Sequence, residues 1–372
     1  MQIQLLIPGL LWPAATLGSP TAGLRLDGLA ALIGRGQWQL AAPSSYPHAL
    51  LRLLGAATPP PEQDLPLARW RRLGEDELSA PRNADAHWLC ADPVHLAFNR
   101  EHLLLQGFEQ HEIGLDEARS LAASLNETFA DLGEFVIATP NRWYLRLHQP
   151  ADASFHALDE VIGRPIRHFL PGGEQARRWQ RTLNELQIVL HNHALNSQRE
   201  AAGQRSINSL WLWGAGTNLN VSIPTPTDGK LLQASDPLTR GLLRSVAASI
   251  SPPDYAQAAS SPASLVMLDS VLAPARNLDL QGWTQALHQL EQQWFAPLAA
   301  AFKAGSLQRL DLIAPGDRAT LVLSLQRSAR WKFWRQPRAF DDLLRAAAPA
   351  QDLSQFPAPA PHSPDSSSHA PY

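Results

Sequence analysis

Short apolar runs recur along this chain of 372 residues, at residues 2–7, 207–213, 265–268, 310–313 and 320–323. They are β-prone and read as strands, the first of them buried. Segments of helical period lie between them. Leu26, Leu29 and Ile33 share a face in 24–33, which Gly34 and Gly36 close, and a second helix is expected over 48–54. Trp179, Leu183, Leu186 and Leu190 form an apolar stripe in 174–193, and Leu287, Leu290, Trp294 and Leu298 form another in 283–302. Strands alternating with such helices predict an α/β core.

Residues 84–172 read as a separate module. Trp88–Ala91 and Leu103–Leu105 are expected strands, and a helix over 116–131 carries Leu121, Leu125, Phe129 and Leu132 on one face. Residues 135–137 and 143–147 form a strand pair that turns at Asn141, and Pro171-Gly172-Gly173 ends the module. The order β-β-α-β-β predicts an α+β insert, which leaves a discontinuous core of 1–83 and 173–345. From residue 346 the chain turns to Ala, Pro and Ser without a period, and a disordered tail over 346–372 is expected.

With 45% hydrophobic residues the chain can bury a sizeable core, and its length suits two domains or one with an insertion. A net charge of -3 argues against a general nucleic-acid or membrane-surface binder. The single cysteine, Cys90, excludes an internal disulfide framework and a multi-cysteine zinc site. The first residues lack a basic stretch, and their apolar run is closed by Pro8-Gly9, as in a buried strand rather than a signal peptide. No run approaches ~18 apolar residues, so no spanning helix is expected. The default address is the cytoplasm.

The densest polar cluster runs from Asn184 to Asn208 and includes His191, His193, Asn196 and Arg199. It reads either as an anion pocket with Arg199 as the forked donor, or as a hydrogen-bond network joining a helix to a strand. His191 and His193 are two apart, so on one helix they point ~200° apart and cannot chelate together. Asp92 and His95 flank a strand end, where Asp92-Pro93 also signals a turn. Gly214-Ala215-Gly216 after a strand is a weak phosphate-turn signal. Residues 331–338, Trp-Lys-Phe-Trp-Arg-Gln-Pro-Arg, read as a strap that packs its aromatics on the core.

Three stretches carry a family resemblance: Leu6–Pro13, Trp88–Leu96, and Asn184–Gln187 through Trp211–Gly216. Together they resemble the RpfE-type regulatory proteins of proteobacteria, some of which are labelled phosphoglycerate mutase. The pattern His193-x2-Asn196-x2-Arg199-x3-Gly203, then Ile207-Asn208 and Gly214-Ala215-Gly216, resembles archaeal-type cofactor-independent phosphoglycerate mutases. The resemblance implies an alkaline-phosphatase-like α/β core with an inserted domain. It also implies two divalent metals, Mn or Mg, that activate a serine nucleophile.

Several positions depart from that pattern. Pro8-Gly9 stands where the enzymes have Asp-Gly, Trp213 stands for an Arg, and the serine region 44–51 lacks the following Asp. The segment 269–276 carries no His, and residues 314–317 lack an Asp-His pair. Only Ser45 and Asp317 remain as catalytic candidates, and proline cannot ligate a metal. A degenerate fold that binds without catalysing is therefore expected, with no metal or other cofactor. Its ligand pocket is expected at His193, Asn196, Arg199 and Asn208, with Asp92 and His95 reaching in. The ligand would be a small phosphorylated or anionic metabolite, or a protein partner, with neither nucleic acid nor membrane involved. The alternative is a diverged metal-dependent phosphoglycerate mutase or phosphatase.

Overall fold

A computed structural model describes residues 1–13, 19–56, 64–76, 86–99, 102–108, 111–216, 223, 229–246, 249–332 and 334–347. The expected tail therefore lies outside the described residues from 348 onward. The 83/84 boundary lies outside them as well.

Eleven strands are described, in two sheets. The strands are β1 (Gln2–Leu6), β2 (Gln37–Ala41), β3 (His87–Asn99), β4 (His102–Gly107), β5 (Gly133–Thr139) and β6 (Arg142–Leu147). They continue with β7 (Ser209–Trp213), β8 (Leu231–Gln233), β9 (Ala263–Met267), β10 (Arg309–Ala314) and β11 (Thr320–Gln326). The larger sheet has the order β2-β11-β10-β1-β9-β8. Strand β1 lies between β10 and β9, parallel to both, and β8 continues the parallel run. Strand β11 is antiparallel to β10 and to β2. Leu5, Val266 and Leu312 are fully buried in this layer.

The second sheet has the order β4-β3-β6-β5, with β7 also pairing β3. Thus β7, expected among the core strands, belongs to the other sheet: Leu212 lies opposite Ala91 and Ser209 opposite Val94. A fully buried, mostly apolar strand is equally at home in either sheet, so its pattern could not choose between them. The helix Ala176–His191 buries its predicted stripe and feeds this sheet through the short helix Ala194–Ala201.

The helix expected over 283–302 is three pieces: Leu280–Leu290, a π turn over Glu291–Phe295, and Ala296–Ala304. The buried Glu291 carboxylate there accepts the backbone N–H groups of Gly28 (2.6 Å) and Leu29 (3.1 Å), at the start of the helix Asp27–Arg35. That carboxylate satisfies donors which a helix start leaves unpaired. Two helices that the periodicity did not reveal, Leu67–Gly74 and Pro237–Arg244, pack closely. A Cβ built on Gly241 would stand 1.6 Å from the Trp70 carbonyl oxygen.

The strap of residues 331–338 does not bury its tryptophans. Trp331 is 67% and Trp334 65% exposed, while Phe333 lies outside the described residues. Core burial beyond the strap comes from Phe340, Leu343 and Leu344 on the helix Phe340–Ala347.

Candidate functional site

The residues nominated for a ligand pocket bond chiefly to their own chain. Arg199 is buried; it donates to both Glu117 oxygens at 2.9 Å, to the Glu112 carbonyl at 2.9 Å and to the Arg205 carbonyl at 2.8 Å. Asn196 donates to the Leu190 and Ile207 carbonyls and accepts from the Ile207 N–H. Asn208 exchanges both amide bonds with the Leu96 backbone, at 2.8 and 2.9 Å. His95 Nδ1 lies 2.8 Å from the Ser206 carbonyl, and His193 caps the helix Ala194–Ala201 while contacting Ser124. This is the network that fixes helix to strand. Arg199 is thus a strut between segments rather than an open fork for an anion.

Asp92 sits apart from that group. Its carboxylate receives Arg71 at 2.7 and 2.8 Å, the Trp213 indole N–H at 2.9 Å and the Trp143 N–H at 3.3 Å. Arg71 also donates to the Tyr144 hydroxyl, which in turn donates to Glu75. This buried chain ties the helix Leu67–Gly74 to the second sheet.

Chemistry-bearing groups do converge elsewhere, beyond the carboxyl ends of the large sheet, where open α/β sheets place their ligands. Ser45 follows β2 and precedes the helix Tyr46–Leu53. Its exposed hydroxyl is 2.7 Å from His48 Nδ1, and His48 Nε2 is buried without a hydrogen-bond partner. Burial, then Arg52, lowers the His48 pKa and favours the neutral imidazole.

Asp236 lies past β8 and caps the helix Pro237–Arg244 through the Thr239 N–H at 2.8 Å. It also accepts from the Tyr46 hydroxyl at 3.2 Å. Asp269 follows β9, and Asp317 follows β10. Asp159 comes from the segment between β6 and β7 and is ion-paired with Arg276, whose guanidinium lies 5.9 Å from the Tyr46 ring centre. Burial pushes Asp159 up to about 6 against the pull of Arg276, and Asp236, Glu160 and Asp317 push the same way. Burial followed by Asp236 raises Asp269 to about 6 as well.

Of the two catalytic candidates, both stand on this edge. Ser45 is positioned beside an imidazole, whereas Asp317 is paired with Arg164. Asp236, Asp269, Asp159, Arg276, His48 and Tyr46 were not nominated from the sequence. The readable signal for Asp269 was an acidic residue directly after a buried strand. Nothing in the sequence could join Asp159 to it, because the two lie on separate segments.

The donor set does not fit a pair of divalent cations. Strand β1 runs into Ile7-Pro8-Gly9, which offers no side-chain donor. Asp236 is committed to a helix cap and to Tyr46, and Asp159 and Asp317 are each paired with a guanidinium. No group of three or more His, Cys, Asp or Glu side chains among the described residues could hold a metal ion. No described helix is long and apolar enough to cross a membrane.

No family model matches the chain. Segments of it are similar to 2,3-bisphosphoglycerate-independent phosphoglycerate mutases. The Methanosarcina barkeri enzyme is 28% identical over 123 residues, 32% of this chain and 30% of that one. A second such mutase, from Methanothermobacter thermautotrophicus, is 28% identical over 147 residues, 39% and 33% of the two chains. A probable one from Geobacter sulfurreducens is 40% identical over 57 residues, 15% and 14%. The matched stretches thus span a third or less of those relatives' length.

Among solved structures, a protein from Pyrococcus horikoshii aligns over 92% of this chain and 91% of its own, with a TM-score of 0.53 and 12% identity. A cofactor-independent phosphoglycerate mutase from Thermoplasma acidophilum covers 94% and 95%, with a TM-score of 0.43 and 16% identity. The chain is an α/β protein distantly homologous to cofactor-independent phosphoglycerate mutases.

Proposed function

We propose that this chain is a non-catalytic, cytoplasmic regulatory protein of the RpfE type, with a degenerate alkaline-phosphatase-like core, whose carboxyl-edge site has lost two-metal phosphoryl transfer. The observation that carries this reading is the pairing of carboxylates with Arg276 and Arg164 at the sheet edge, together with Pro8-Gly9 after β1. A guanidinium held against a carboxylate neutralises the charge that a cation would need, and it repels a divalent ion nearby. Regulation would then run through binding of a small anionic metabolite or a protein partner. The polar network around Arg199 would have to open before it could receive an anion.

A second reading is favoured by the Ser45–His48 contact: a diverged phosphoglycerate mutase or phosphatase that uses Mn or Mg. A neutral imidazole beside an exposed serine hydroxyl can take its proton. Elemental analysis of the purified chain, paired with mutase and phosphatase assays in added Mn and Mg, separates the two readings. The regulatory reading expects no stoichiometric metal and no turnover. Turnover that Ser45→Ala abolishes would overturn it.

A further inference from the structure

Residues 327–338, the strap with its preceding turn, present two exposed tryptophans away from the sheet edge. They carry Arg327, Arg330, Lys332, Arg335 and Arg338 and no carboxylate of their own, although Arg338 lies 3.8 Å from Asp342 on the helix that follows. Trp331 and Trp334 are each about two-thirds exposed, at 67% and 65%. The strap is nonetheless pinned at its base. Arg335 donates to the Gly36 carbonyl at 3.1 Å, the Arg35 side chain donates to the Arg335 carbonyl at 3.2 Å, and the Arg338 N–H bonds the Ala30 carbonyl at 3.0 Å. The helix that follows buries Phe340, Leu343 and Leu344. Both indoles are therefore exposed beside a segment tied to the core.

We propose that this strap is a docking surface for an anionic phospholipid membrane, with Trp331 and Trp334 seated at the headgroup–acyl boundary and the flanking cations on lipid phosphates. Indole is amphipathic and partitions to that boundary, and basic side chains beside it meet the negative surface of the leaflet. The chain's net charge of -3 does not oppose this, because a local cluster acts within a Debye length of ~8 Å at physiological salt. The ring contacts favour a membrane over single-stranded nucleic acid. Arg330 lies 4.6 Å from the Trp331 ring centre, and Arg338 lies 4.5 Å from that of nearby Trp38. Base stacking needs open ring faces. Insertion at a membrane boundary needs only the outward edge, which a cation over the face leaves clear.

The test is co-sedimentation of the full chain with phosphatidylcholine vesicles, with and without phosphatidylserine, alongside W331A/W334A and R330Q/K332Q variants. Binding to the mixed vesicles alone is expected, weakened by salt. Neutralising each cation should lower partitioning about fivefold. W331A/W334A should abolish binding while shifting the denaturation midpoint only slightly, since both rings are about two-thirds exposed. Absence of binding to anionic vesicles at low salt would overturn the proposal. So would binding that neither variant weakens, or binding of a labelled single-stranded oligonucleotide through these residues in place of vesicles.

Discussion

Replacing Asp92 with alanine is expected to destabilise the protein strongly, because its carboxylate is a buried counter-charge. The Asp92 side chain is 3% exposed and that of Arg71 is 8%. The substitution removes the acceptor of both Arg71 contacts and of the Trp213 and Trp143 N–H groups. Arg71 keeps only neutral hydrogen-bond partners, the Tyr144 hydroxyl at 3.0 Å and the Trp143 carbonyl at 3.1 Å. Breaking a buried pair from one side costs about 3–5 kcal/mol, a large part of a typical total of ~5–15 kcal/mol. Urea denaturation at neutral pH reads the loss directly. An R71M/D92L double variant, which removes both charges, should recover much of it. A loss under about 1 kcal/mol for Asp92→Ala, or a double variant no more stable than the single one, would refute the reasoning.

Two further predictions test the reassignments. Arg199→Ala should lower stability by about 2 kcal/mol, since it leaves the Glu112 and Arg205 carbonyls without their donor and takes the counter-charge from Glu117, which keeps the Gly114 N–H; a thermal melt that does not move would return Arg199 to the role of a ligand group. Stability should also fall as pH rises from about 4 to about 6, because Asp269 holds its proton more tightly folded, at about 6, than its ordinary 3.8. The folded state binds the extra proton in that window, so the contribution is full below it and lost above it, by about 1–3 kcal/mol. In Asp269→Asn the denaturation midpoint should lose that part of its slope.

Periodicity located what depends on local pattern. The apolar runs at 2–7, 265–268, 310–313 and 320–323 became β1, β9, β10 and β11, and the stripe from Trp179 to Leu190 became a buried helix face. The β-β-α-β-β order of the module was also legible, since each element buries one of its own faces. Strand β2 and the helices Leu67–Gly74 and Pro237–Arg244 were not, being short and weakly patterned.

For the site, the sequence supplied residue types and excluded a donor after β1, because proline has no ligating side chain whatever the fold. It could not decide between an open pocket and a closed network around Arg199. That depends on whether Glu117, 82 positions away, reaches the guanidinium. Nor could it decide that Arg276 meets Asp159, 117 positions away, beside Asp236 and Asp269. Charge pairing and desolvation act through space, and only the tertiary arrangement of the strand ends sets which charges share a buried edge.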